Sequence, residues 1–170
     1  MAKSDSFFIR ASTVIGNTTA YNEEEISLGA YVSALGKSVL RIHNIAVSMT
    51  DATGTSPSLK ADDSAAAQFQ LCTQSQADTI LPSNRAVIAS GMVNVVNQES
   101  GVSVASVVSE ALDNLPQLWT NGYLVATESI YLGGEASAGF AEAVTCSIVM
   151  ECTVETMTQA SAMALSLSQQ

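Results

Sequence analysis

The chain has 170 residues, enough for one domain with a real core, and six basic residues against sixteen acidic ones leave a net charge of −10. The basic residues Lys3, Arg10, Lys37, Arg41, Lys60 and Arg85 are scattered, so no stretch can neutralise a run of phosphates, and direct binding to nucleic acid or to an anionic membrane surface is not expected. Only 13% of residues are charged, which suits a subunit flanked by copies of itself, since interface cores are depleted in charge, or an acidic protein from a salty environment.

Residues 1–10 contain no apolar stretch of signal-peptide type, and no apolar run is long enough to span a bilayer. Synthesis and initial folding in a cytoplasm are expected. Residues 7–15 read as a first strand, closed by a turn at Gly16-Asn17. Residues 21–28 carry Glu23, Glu24 and Glu25 and read as an edge strand or a loop entering one, because charge on an edge discourages stray pairing. Residues 29–37 are ambiguous, with a turn signal at Gly36-Lys37.

Residues 38–50 form a second strong strand pattern. Its apolar positions are even at Leu40 and Ile42 and odd from Ile45 through Val47 and Met49. A parity switch inside a strand is what a β-bulge or a bend between sheets produces. Residues 51–64 read as loop, 65–73 as a strand with Phe69 and Leu71 on one face, and 74–85 as loop again. Residues 86–96 are apolar and β-branched, with Gly91 marking a bulge or a close backbone approach.

Residues 102–112 fit either a strand or a short helix. Val104, Val107, Val108 and Leu112 have helical spacing and Leu-Asp-Asn-Leu-Pro ends a helix well, which tips the reading to helix. Residues 122–132 read as a strand and 133–139 as a small-residue loop. Residues 144–155 alternate most cleanly of all. Val144, Cys146, Ile148, Met150, Cys152 and Val154 share one face, and only Val149 is apolar on the other. The spacing of Ala160, Met163, Leu165 and Leu167 after Thr158 predicts a C-terminal helix over 158–169 with Thr158 as its N-cap. No internal repeat is visible.

Seven or eight strands with long connections, and no alternation with helices, predict a single all-β domain over residues 1–170. It is an antiparallel β-sandwich of jelly-roll type, two four-stranded sheets with one or two short helices, one of them C-terminal.

Chemistry is sparse. The single histidine, His43, has Arg41 as its neighbour on the same strand face, and Arg41 is neither a nucleophile nor an acid; His43 reads as a surface or interface residue. No zinc-type spacing, phosphate loop, nucleophile elbow or Cys-x-x-Cys pair is present. Cys146 and Cys152 lie roughly 20 Å apart along one strand, too far to bridge. A Cys72 bridge to either stays open beside the simpler reading of buried thiols. Neither Glu23–Glu25 nor Asp62-Asp63 supplies the six to eight oxygens calcium takes, although carboxylates from two subunits could share a calcium ion at an interface. Trp119 reads as a core or interface anchor.

The order of these pieces resembles a single jelly-roll major capsid protein of tailless icosahedral viruses. The strand at 7–15 is followed by a turn and an acidic strand that lead into Lys37-Ser-Val-Leu-Arg-Ile-His-Asn-Ile-Ala-Val-Ser-Met49. Long loops, the closing strand 144–154 and the tail 158–170 complete the likeness. The resemblance covers most of the chain in pattern and rests on no diagnostic motif. It implies a structural, non-enzymatic subunit, present in many copies in a virion. One departure is informative: many small coats carry a basic N-terminal arm, and here only Lys3 and Arg10 stand there. The resemblance therefore implies a coat over an internal membrane or a second coat protein, or an empty shell, tube or sheet, rather than one that packages a genome by charge. The residues expected at subunit contacts are Phe7, Phe8, Trp119, Met163 and Leu167. No catalytic, cofactor-binding or metal-binding residue is expected.

Two other roles compete with it. A β-sandwich binding module, such as a viral spike or a lectin-like receptor-binding protein, would carry a ligand site in its loops, where aromatic residues are few. A cupin-like enzyme would need several histidines for its metal, and the chain has one.

Overall fold

The computed structural model describes residues 4–33, 35, 37–104, 107–111 and 120–170. Nine strands and one helix lie among the described residues: β1 (Phe7–Gly16), β2 (Asn22–Ser27), β3 (Ser38–Thr50), β4 (Ser64–Cys72), β5 (Val87–Val96), β6 (Val107–Ala111), β7 (Tyr123–Val125), β8 (Ser129–Ala136), β9 (Val144–Thr156) and α1 (Gln159–Ser168). They form a four-stranded sheet in the order β1-β9-β3-β7 and a five-stranded sheet in the order β2-β8-β4-β5-β6. Every pairing is antiparallel.

The pairings are nested. β1 pairs with β9, β2 with β8, β3 with β7 and β4 with β5. A chain doubled into one long hairpin, with its tip between β4 and β5, and then wound into two facing sheets gives this order. It is the winding of a jelly roll. β6 is an addition at the open edge beyond β5.

Period-two alternation supplies the core. Leu40, Ile42, Ile45, Cys146, Ile148, Met150 and Cys152 point inward from the four-stranded sheet, and Phe69, Leu71, Val93, Val95, Ile130 and Leu132 meet them from the other. Each fully buried Leu or Ile contributes roughly 1.5–3 kcal/mol. The parity switch in β3 is a bulge: Ile42 faces Cys152 and Asn44 faces Glu151, leaving His43 as the extra residue. The acidic strand β2 is an edge strand, paired only with β8. All three cysteines are free and buried, Cys72 in one sheet and Cys146 and Cys152 in the other.

Five expectations are corrected. The two sheets have four and five strands rather than four each. The extra strand is β6, where residues 107–111 were read as helix; pairing with Met92–Val96 on the edge of β5 decides for the extended form that its valines favour. Leu112 and the Leu-Asp-Asn-Leu-Pro stop lie outside the described residues. The strand read over 122–132 is two strands, β7 and β8, in different sheets, and the chain crosses between them at residues 126–128.

The loop read at 133–139 begins as strand, because Gly133 and Gly134 are needed inside β8. A Cβ on Gly134 would fall 2.2 Å from the Gln68 carbonyl oxygen, and one on Gly133 would fall 2.0 Å from the Tyr21 hydroxyl. Lastly, Gly91 marks no bulge, since it pairs with Phe69 without a break; the irregularity in β5 comes earlier, where Leu71 faces Ala89 and Cys72 faces Val87.

Candidate assembly surface

The outer faces of the two sheets and the helix carry the features that face the surroundings. α1 begins at Thr158, whose side chain accepts a hydrogen bond from the Ser161 backbone N–H, the N-cap expected from sequence. Its inner side buries Ala162 and packs Leu165 and Met157 against Val39, Leu124 and Ala126, on the β3–β7 side of the four-stranded sheet. Gln169, just past the helix, fastens the end. Its side-chain oxygen accepts from the Ala126 N–H at 2.9 Å, its amide donates to the Leu124 carbonyl at 2.6 Å, and its own carbonyl accepts from the Thr73 hydroxyl at 2.8 Å. This one residue ties the helix to the β7–β8 crossing and to the end of β4.

On the outer face of β3 and β9, Arg41 grips Glu155 with two hydrogen bonds, at 2.6 and 2.8 Å, and also donates to the Asn121 carbonyl. The hydrogen bond that Arg41 donates to Glu155 raises the Arg41 pKa above its ordinary value. His43 Nε2 lies 3.0 Å from the Thr153 hydroxyl, and Asn44 donates to Glu151 at 2.9 Å. The bulge thus turns a row of polar residues into cross-strand ties.

On the other side of the sandwich, residues 73–85 fold back over the outer face of β4 and β5. Gln70 points outward between inward-facing Phe69 and Leu71, yet is only 1% exposed because this loop covers it. Its amide donates to the Tyr21 hydroxyl at 2.9 Å and to the Asp78 carbonyl at 3.2 Å, and its oxygen accepts from the Ile80 N–H at 2.9 Å. Burial pushes the Tyr21 hydroxyl up to about 12, against the opposing effect of the Gln70 amide. The loop leaves a groove of about 530 Å³ between itself and β5, with Ile80, Leu81, Pro82 and Met92 along its walls and Gln68 and Gln70 at its floor.

The residues expected at subunit contacts fall in different places. Phe8 is 56% exposed on the outer face of β1, with the Arg10 guanidinium 5.8 Å from its ring centroid. Phe7 turns the other way, packs against the core and stacks on Tyr31 at 4.8 Å. Met163 and Leu167 are 43% and 67% exposed on one side of α1. Trp119 lies outside the described residues. Phe8 and the α1 pair sit toward opposite edges of the four-stranded sheet, and the fold does not bring them together.

No protein-family model matches this chain, and no curated protein sequence matches it. The reading of its surface therefore rests on geometry. Among the described residues, no three of His, Cys, Asp and Glu are grouped so as to hold a metal ion, and no helix is long and apolar enough to cross a membrane.

Of the acidic residues considered for calcium, Glu23, Glu25 and Asp63 are engaged locally. Glu23 accepts from the Ser75 hydroxyl and the Gln76 N–H, Glu25 from the Ser129 hydroxyl, and Asp63 from the Ser64 N–H. Each of the three thiols is pushed up to about 12, chiefly by burial.

Sequence reasoning missed the groove and Gln169. The signal for the first was available: a glutamine at an outward strand position, followed by Ile80-Leu81-Pro82 in a stretch otherwise polar enough to be read as plain loop. The second had no signal, since a glutamine at the end of a helix looks like any solvated cap.

Proposed function

We propose that the chain is a structural self-assembling subunit, a coat protein of the single jelly-roll capsid type that forms a shell or lattice through repeated contacts. The observation that carries this reading is the distribution of exposed large apolar side chains. They stand on several separate surfaces: Phe8 and Val14 on the outer face of the four-stranded sheet, Leu81, Met92 and Val96 on that of the five-stranded sheet, and Met163 and Leu167 on α1. A binding module needs one such patch; a subunit surrounded by copies of itself needs one on each flank. The jelly-roll winding fits the same reading, by analogy of fold alone.

The mechanism is geometric rather than catalytic. A sandwich held by long antiparallel ladders keeps its flanks in fixed relation, so repeated contacts add at a constant angle and close a shell or extend a lattice. The net charge of −10 fits a coat over an internal membrane or a second protein layer better than one wrapped on nucleic acid. In this reading the protein's place is the virion.

Negative-stain electron microscopy of the purified chain, with and without calcium and molar salt, tests it. Regular shells, tubes or lattices support the proposal. Small discrete particles that bind glycans would transfer the assignment to a receptor-binding module.

A further inference from the structure

The outward side of α1 carries Ala160, Met163, Ala164 and Leu167, spaced i, i+3, i+4 and i+7, and all four are exposed. This is the pattern by which a helix is buried in a groove, turned here away from its own domain. Across the sandwich lies the groove of Ile80, Leu81, Pro82 and Met92. Leu81 is 75% exposed and Leu167 67%, so the stripe and the groove do not fill one another within one chain.

We propose that the outward stripe of α1 on one copy docks into the Ile80–Pro82/Met92 groove of a second copy. The inference rests on the self-assembly reading and names its contact.

Charge selects the partner. Two copies each carrying −10 repel, so a contact that brings no carboxylate from either side is favoured between them. No residue of α1 is charged, and no residue lining the groove is charged. Both sides are also fixed before they meet. Gln169 holds the helix end on the sandwich, and Gln70 holds the groove wall through two hydrogen bonds, to Asp78 and Ile80, so little ordering entropy is lost on docking.

The two surfaces belong to opposite sheets, the stripe to the β3–β7 side and the groove to β4 and β5. The contact is therefore head-to-tail. It leaves a free groove and a free stripe on every pair, and growth continues until a ring or shell closes.

Mixed single variants, Leu81→Cys in one preparation and Leu167→Cys in the other, test the contact under mild oxidation, since the three native thiols are buried. A disulfide between positions 81 and 167 of different chains is expected. Dominant 167–167 linkage would mean helix pairs with helix and would overturn the proposal. So would absence of linkage in preparations that still form regular particles, an outcome that leaves the self-assembly reading standing. Absence of both linkage and particles removes the two together.

In parallel, Leu167→Gln is expected to raise the concentration for half-assembly about tenfold or more, with far-UV circular dichroism unchanged and Met163→Leu silent. Wild-type assembly by the Leu167→Gln chain would count against the contact.

Discussion

At the scale of single residues, the fold is held by positions where no other side chain fits and by groups removed from water. Gly134 is the sharpest case. A Cβ there would meet the Gln68 carbonyl at 2.2 Å and Ile15 at 3.0 Å, and the obstruction is mostly backbone. Gly134→Ala is expected to destabilise by about 2 kcal/mol or more, as overpacking does. Gly54→Ala meets nothing within 4 Å and bears only the strain of its φ of +87°, about 1 kcal/mol. Urea midpoints of the two variants check the order.

The thiols give a second expectation. Cys72, Cys146 and Cys152 have pKa values raised from 9 to about 12. Well below pH 9 all three are protonated, folded or not. Above it the unfolded thiols lose protons that the folded ones keep. The unfolded chain is then favoured, and stability falls as pH climbs from 9 toward 12. Denaturant titrations of the wild type and a Cys146→Ala variant would show the loss and its partial relief. The native thiols should also resist alkylation at neutral pH and react on unfolding.

At the scale of elements, one tie joins strand to strand and another holds the helix on the sandwich. The Arg41–Glu155 pair joins β3 to β9 with side chains only 17% and 8% exposed. Arg41→Met strands a buried carboxylate and is expected to cost about 2–4 kcal/mol, while the double change Arg41→Met/Glu155→Leu recovers much of it. A double-mutant cycle by chemical denaturation reads this directly. Gln169→Ala removes the bonds to Ala126 and Leu124 and should speed hydrogen exchange throughout α1 while the β9 amides stay protected.

The elements also show what could be read in advance. β9 was legible because both its faces obey one rule, and the bulge at His43 because the apolar parity changed across it. The closing helix was legible from its cap. β6 was not, because valines at helical spacing satisfy two periodicities and only its neighbour β5 decides. The break between β7 and β8 was hidden for a related reason: residues 126–128 change sheets without a proline or glycine to mark the crossing. Glycines in β8 looked like a loop because sequence shows a missing side chain but not the Tyr21 ring and Gln68 carbonyl that need the space. Of the surface, Phe8, Met163 and Leu167 stand exposed, while the groove could not be read in advance, because a groove depends on where a loop folds back.

At the scale of the whole molecule, charge and apolar surface oppose one another. In the proposed assembly the −10 on each copy keeps copies apart at low ionic strength, while apolar patches on several flanks draw them together. Salt screens the first and leaves the second, since the Debye length shrinks to about 3 Å at 1 M. Assembly should therefore strengthen with salt, the reverse of a coat held to nucleic acid by charge. Sedimentation velocity of the intact chain over a wide concentration range, at low and at molar salt, is the most direct test of self-assembly. The account predicts large particles of defined size whose share rises with both concentration and salt. A single monomer boundary at every concentration and both salts would contradict it.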